Sequence, residues 1–268
     1  MKRTRILFSF MAGVFLTILP AKATSVFTET FNYTVGSGLA GQNGGSGFSG
    51  AWSGGDSTIV AGIGGSGTAL QVGSSIASRP LLSTKSTTGT SIYLTYIMSS
   101  SNFFGGDFTG ISLWQGGSEN MFLGIPWQTR SFGFDAHGGN GTADIKTVNF
   151  TPVANTSYLV AFGFLPSATS GKVDIKLWAT SDLTVSASTL LAGTPNAQLL
   201  GSRNNFSFDT VKVAGNYVGA LKLSGLSMAD TPAEAINTSV ASVPEPSAVS
   251  LLVVGLGGVM MLRRKSRA

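Results

Sequence analysis

Chemistry needs nucleophiles, acids, bases or metal ligands, and this chain holds few of them. Cysteine is absent and His137 is the single histidine. That excludes a disulfide framework, a thiolate metal site, a cysteine nucleophile and any zinc site needing two imidazoles. A serine triad would have to use His137, which stands before Gly138-Gly139-Asn140-Gly141 in a turn, and no Gly-x-Ser-x-Gly elbow occurs. Hydrolysis of a sugar bond needs two carboxylates facing one cleft. The candidates are Asp107, Glu119, Asp135 and Asp144, each isolated in sequence, so a non-enzymatic role is expected. Gly138 to Asp144 is a partial match to a calcium-binding glycine-rich repeat, and it occurs once. Asp135 and Asp144 with backbone carbonyls are the calcium ligands the chain could offer; no other cofactor is expected. The glycine clusters lack the Gly-Lys-Ser/Thr of a phosphate loop.

Aromatic side chains are the other candidates, because a flat ring can hold the apolar face of a sugar. Trp114, Trp127 and Trp178, with Phe103, Phe104, Phe108, Phe122 and Tyr93, exceed what a plain sandwich core needs. Trp178 shares the phase of Asp174 and Lys176, opposite to Val173, Ile175 and Leu177, so it lies either in solvent or beneath a loop. Trp52 stands in a stretch, residues 36–67, with 13 glycines in 32 positions. Trp52 and Trp178 are therefore the named candidates for glycan stacking. Packing into the core is the competing reading for both, and for Trp52 it means pinning glycine-rich loops over a sheet.

Strands must position these groups. Period-two alternation dominates and no long helical period appears. Ile92, Leu94, Tyr96 and Met98 share a face, as do Tyr158, Val160, Phe162 and Phe164. Val173, Ile175 and Leu177 form a third set. The pairs Phe132 and Phe134, Phe206 and Phe208, Val211 and Val213, and Leu221 and Leu223 extend the pattern. One apolar and one polar face per strand is the signature of antiparallel sheets. Turn signals separate the runs, among them Gln115 to Ser118 and Pro166 to Gly171. The expected fold is all-β, an antiparallel two-sheet sandwich or jelly roll over residues 24–236. Thr231-Pro232-Ala233-Glu234 reads as a capping box opening a short helix after the last strand.

The formal net charge of +5 lies at the ends. Residues 24–243 hold nine Lys or Arg against eleven Asp or Glu, a balance of −2. No cationic cluster is available to displace counterions from phosphates, so nucleic-acid binding is not expected. Residues 1–23 have the parts of a secretory signal: Lys2, Arg3 and Arg5, then an apolar run from Ile6 to Leu19, then Ala21 and Ala23 for a signal peptidase. Fourteen helical residues rise about 21 Å, short of the roughly 30 Å hydrocarbon core. After a small polar linker, residues 237–242, comes Val243-Pro244-Glu245-Pro246. The uncharged apolar stretch 247–262 follows, then Arg263-Arg264-Lys265. The length is just under that of a usual spanning helix, so tilt or snorkelling must help it cross. The basic cluster is the cytoplasmic stop that places residues 24–243 outside.

This carboxyl-terminal order, residues 243–268, resembles the PEP-CTERM sorting signal of exported bacterial proteins. The resemblance implies that a membrane-embedded exosortase reads Pro244-Glu245-Pro246 outside the inner membrane and removes the helix, in a Gram-negative-type producer that often makes exopolysaccharide. Pro244 and Pro246 bar helix through the motif and leave an extended segment for a protease. The middle region is similar to concanavalin A-like, laminin-G-type sandwiches, through Glu29-Thr30-Phe31, the Tyr158 to Ala179 hairpin, and the closing strand with its Thr-x-x-Glu turn. Hydrolases of that type carry Glu-x-Asp-x-x-Glu on one strand, and this sequence does not. Together these readings imply an exported, exosortase-processed surface or matrix protein: a single-pass membrane-anchored precursor whose mature form adheres to exopolysaccharide. The alternatives are a carbohydrate-active enzyme, glycoside hydrolase or lyase, and a ligand-free structural surface protein.

Overall fold

The computed structural model describes residues 25–63, 67–103, 108–136, 144–215 and 221–236. The secretory segment with Ala21 and Ala23, the linker 237–242, the sorting motif Val243 to Pro246, the apolar stretch 247–262 and the cluster Arg263, Arg264 and Lys265 lie outside these residues, as do Asp107 and His137. Among the described residues no helix is long and apolar enough to cross a membrane.

Among the described residues, fifteen strands form two antiparallel sheets. In one sheet the order is β13 (Ala197–Asn204), β12 (Lys172–Thr180), β11 (Ser157–Pro166), β6 (Ile92–Ser100), β15 (Leu221–Ala229), β4 (Thr68–Gln71) and β3 (Thr58–Ala61). β1 (Ser25–Glu29) also pairs with β15, along Leu226 to Ala229, while β4 takes Lys222 and Leu223. The second sheet runs β10 (Ile145–Thr147), β9 (Gly133–Asp135), β8 (Ser118–Ile125), β7 (Thr109–Gln115), β14 (Ser207–Gly215), β5 (Ala77–Ser86) and β2 (Ser53–Gly54).

The alternating residues meet between the sheets as one continuous core. Leu94, Tyr96, Met98, Val160, Phe162, Phe164, Ile175, Leu177, Leu113, Leu123, Phe134, Val211 and Val213 all belong to it and are closed to solvent. Two breaks in the alternation are absorbed by bulges, each of which adds one residue to one strand. Phe208 and Val211 are out of phase in sequence, yet both face inward because the register of β14 shifts between Phe208 and Thr210. Leu223 and Leu226 do the same in β15, where the shift falls between Ser224 and Ser227 and Gly225 has φ 60°. β7 and β8 are joined by Gly116 and Gly117 with φ 56° and 86°, the two positive dihedrals that a tight hairpin turn matching strand twist requires.

Among the described residues there are also two short helices, α1 (Ala187–Ala192) and α2 (Pro232–Ile236). α1 has no counterpart among the sequence expectations. Ser186 caps it, its Oγ accepting from the Thr189 N–H at 3.1 Å. α2 forms where the Thr-Pro-Ala-Glu segment places it, but the expected capping-box bond does not: Thr231 Oγ1 is buried without a hydrogen-bond partner among the described residues. The turn is closed instead by the Ala235 N–H donating to the Thr231 carbonyl at 3.3 Å.

Candidate functional site

The outer face of the second sheet carries one cross-strand row. Asp135 of β9 stands opposite Phe122 of β8, Phe122 opposite Ser112 of β7, Ser112 opposite Lys212 of β14, and Lys212 opposite Ser78 of β5. The neighbouring row brings Glu119 opposite Trp114 and Trp114 opposite Thr210. Trp114 lies along this face, its Nε1 donating to Ser112 Oγ at 2.7 Å and its ring carrying the Lys212 ammonium at 3.3 Å.

At the β8–β9 end of these rows the face opens into a cavity of about 180 Å³ lined by Phe108, Glu119, Phe122, Trp127 and Asp135. Phe122 is its floor, 5% exposed. Phe108 stands nearly perpendicular to Phe122, with ring centroids 5.7 Å apart, and Trp127 tilts against Phe108 at 6.1 Å. Trp127 is 48% exposed, a high value for the most costly apolar side chain to leave in water.

The backbone under Trp127 is a strained turn. The Thr129 N–H donates to the Pro126 carbonyl at 3.1 Å, and the Thr129 hydroxyl donates to the same oxygen at 2.8 Å. Trp127 and Gln128 are the two central residues, and Gln128 has φ 60°. That position favours glycine or asparagine, and a glutamine there costs on the order of 1 kcal/mol. Strain of this kind persists where the surroundings fix it, and such sites cluster at ligand-binding positions.

The structure brings together two of the four candidate carboxylates, Glu119 and Asp135, in one cavity. Asp144 borders the β9–β10 connection, where its carbonyl accepts from the Ala136 N–H at 3.3 Å. Its carboxylate acts on Arg203, opposing the lowering of that guanidinium by burial. No cluster of three or more His, Cys, Asp or Glu side chains that would hold a metal occurs among the described residues.

Of the two readings the sequence leaves open for Trp52 and Trp178, glycan stacking and packing, burial supports packing and not stacking. Trp52 is 1% exposed. Its Nε1 donates to Glu29 Oε2 at 2.9 Å, and its ring packs on Phe31 and Phe48. Trp178 is on the outer phase of β12, as alternation requires, but is 4% exposed. Its ring lies over Gly163, where an added Cβ would come within 3.1 Å, and its Nε1 donates to the Gly193 carbonyl just past α1 at 2.9 Å. The covering segment removes it from solvent.

Sequence reasoning missed a buried charged knot. Arg79 Nη1 meets Glu29 Oε2 at 2.6 Å, with side chains 2% and 0% exposed. Glu29 also accepts from the Phe31 N–H, the Tyr33 hydroxyl and Trp52, all at 2.9 Å. Arg79 donates further to the Gly50 carbonyl at 2.7 Å and to Asn43 at 2.9 Å, and lies 4.1 Å over the Phe48 ring. Burial, then the Glu29 carboxylate, pushes the Tyr33 phenol up to about 12. Every partner belongs to the amino-terminal strand, the glycine-rich loops or β5, so the knot ties those loops to the second sheet. The signal was present in the alternation: Arg79 shares the phase of Ala77 and Leu81, and Glu29 that of Phe27.

No family profile matches the chain, and no curated protein matches it. Solved structures do. The globular domain of T. cruzi calreticulin superposes with a TM-score of 0.52 at 10% identity, covering 88% of this chain and 100% of that one. A carbohydrate esterase from a Shiga toxin-encoding bacteriophage gives 0.47 at 12% identity, over 78% of this chain and 99% of that one. Trypanosoma rangeli sialidase in complex with sialic acid gives 0.42 at 8% identity, over 82% of this chain and 32% of that one. At 10% identity the calreticulin likeness speaks for fold alone, an all-β antiparallel two-sheet sandwich.

Proposed function

We propose that this sandwich is a non-enzymatic glycan-binding module of an exported surface or matrix protein, and that it binds through the Trp127 cavity. The observation that carries the reading is the half-exposed Trp127 ring, held on a strained turn beside two carboxylates. A ring face takes the axial C–H groups of a pyranose while Glu119 and Asp135 accept its hydroxyls. Apolar walls with a few convergent polar groups are how small-ligand sites are built. Among the described residues the cavity has room for one ring-sized group, which suits recognition of a single unit in a polymer. The secretory segment, the Pro244-Glu245-Pro246 motif and the basic terminus support export and exosortase trimming, which would carry the module to the surface polysaccharide.

The test is titration of the full chain against a glycan panel and the producer's own exopolysaccharide. Saturable binding that Trp127→Ala weakens at least ten-fold is expected. Binding that survives Trp127→Ala unchanged, or no binding to any glycan, refutes the reading. One observation favours a second reading: Glu119 and Asp135 share a cavity, as paired carboxylates of a glycosidase must. Release of reducing sugar that Glu119→Gln abolishes in a folded protein would establish it.

A further inference from the structure

The buried charged knot holds two residues that can react with each other. Asn43 and Gly44 form one of the two Asn-Gly pairs in the chain, the other being Asn140-Gly141. In such a pair the glycine nitrogen can close a five-membered ring on the asparagine Cγ, and glycine hinders the closure least because it has no side chain. Three contacts converge on the reacting atoms. Arg79 Nη2 donates to Asn43 Oδ1 at 2.9 Å. The Gly44 N–H donates to the Tyr33 hydroxyl oxygen at 2.8 Å, and that hydroxyl donates to Glu29 Oε2 at 2.9 Å. The electrophile therefore carries a cationic donor on its oxygen, and the proton of the nucleophile faces a relay that ends at a carboxylate. Packing also fixes glycine at this position: a Cβ added to Gly44 would lie 2.9 Å from the Tyr33 hydroxyl oxygen and 3.0 Å from its ring. Asn43 itself is exposed, so water can enter and a small product can leave.

We propose that Asn43 is a self-modification site, at which the knot converts the asparagine amide to a carboxylate with water as the only co-reactant. The Gly44 nitrogen forms a bond to Asn43 Cγ while its proton passes to Tyr33 and the phenol passes its own to Glu29. The carbonyl π pair moves onto Oδ1, where the Arg79 N–H holds the oxyanion. On collapse the Cγ–Nδ2 bond breaks, and the proton returns along the relay to leave with Nδ2 as ammonia. Water then adds to either carbonyl of the succinimide and opens it to aspartate or isoaspartate. No electrons are gained or lost. Glu29 is a weak base under four donors, so Arg79 carries the larger share of the acceleration. The product is one-way: residue 43 gains a carboxylate beside Arg79, and the guanidinium then bridges two anions.

Incubation of the full chain at neutral pH, folded and in guanidinium chloride, tests this. Trypsin leaves Asn43 and Asn140 in separate peptides, because Arg79, Lys85 and Arg130 lie between them. Mass spectrometry reads the amide-to-acid conversion in each, and Asn140 in the unfolded chain gives the rate of an unassisted Asn-Gly pair. Asn43 should convert at least about ten-fold faster in the folded chain than in the unfolded one, the low side of what one oxyanion donor supplies, since this site is open to water. Tyr33→Phe and Arg79→Met should each bring the folded rate down toward the unfolded rate, Arg79→Met by more. Tryptophan fluorescence shows whether each variant stays folded during incubation. Tyr33→Phe keeps the ion pair, so it reads the relay even where Arg79→Met unfolds. A purely structural knot would act in the opposite sense. It would restrain Asn43 below the unfolded rate, and either variant would then speed conversion; that result overturns the proposal. A folded rate equal to the unfolded one, or an acceleration unchanged in both variants, overturns it as well.

Discussion

Replacing Arg79 by methionine should destabilise the sandwich by about 3 kcal/mol. The change keeps most of the side-chain volume, so the loss is electrostatic. Breaking a buried ion pair by removing one partner costs about 3–5 kcal/mol, because the remaining charge stays buried without compensation. The lower end applies here, since Glu29 keeps three donors, from Phe31, Tyr33 and Trp52. Glu29→Gln should cost a similar amount. Three donors converge on Oε2 and one on Oε1, so an amide must turn its NH₂ toward a donor whichever way it lies, and the Arg79 cation loses its counter-charge. The double variant Glu29→Gln/Arg79→Met removes both charges and should cost less than the sum of the singles by about 2 kcal/mol, within the range for residues in direct contact. Urea unfolding followed by tryptophan fluorescence measures all four states, with the slope m constant across them. Single losses below about 1 kcal/mol, or effects additive within about 0.5 kcal/mol, would refute the claim that this pair fixes the glycine-rich loops.

Two further outcomes follow from titratable groups in the core. The Tyr33 phenol is raised from 10.0 to about 12, chiefly by burial and then by Glu29. Its contribution to stability is therefore full below pH 10 and is lost as pH rises through about 12, and Tyr33→Phe should flatten that part of a denaturation-midpoint profile against pH. An unchanged slope above pH 10 would show that the phenol is not held by the knot. Tyr96 is fully buried in the core with its hydroxyl unpaired among the described residues, and burial raises its pKa strongly. Tyr96→Phe should therefore stabilise the fold by about 1 kcal/mol in urea unfolding, against the usual sign for a core substitution; a loss of stability would reveal a partner for the hydroxyl.

Much of the architecture is legible in strand periodicity because one face of each strand must be buried. The alternation in β6, β11 and β12 names the core residues directly. It failed where a bulge inserts a residue, as at Asp209 and Gly225, since phase is then lost although burial is kept. The charged knot was legible in principle, but reading Arg79 inward requires a counter-charge from β1, fifty residues earlier, and sequence does not reveal that contact. The cavity was half legible. Glu119 and Asp135 were named as carboxylates, while the β7–β8–β9 hairpins that unite them depend on register. Trp127 was named only among the surplus aromatics, because Pro126 to Ser131 follows no period from which exposure can be read.

Two outer-face tryptophans show why Trp127 is more than leftover apolar surface. Trp178 and Trp127 begin with the same difficulty, a large ring on the side of a sheet away from the core. At Trp178 the chain removes it by local means: Gly163 supplies a flat bed, Ser186 caps α1, and the Gly193 carbonyl takes the indole N–H. Exposure falls to 4%. At Trp127 the local geometry works the other way. Pro126 and Thr129 close a turn that lifts the ring outward, Gln128 occupies a dihedral better suited to glycine, and nearly half the ring stays in solvent. Covering the ring would bring burial worth about 1.5–3 kcal/mol, and relaxing Gln128 would relieve on the order of 1 kcal/mol more. Forgoing both at a cavity where two carboxylates meet is the arrangement expected when the burial is left for a ligand to complete.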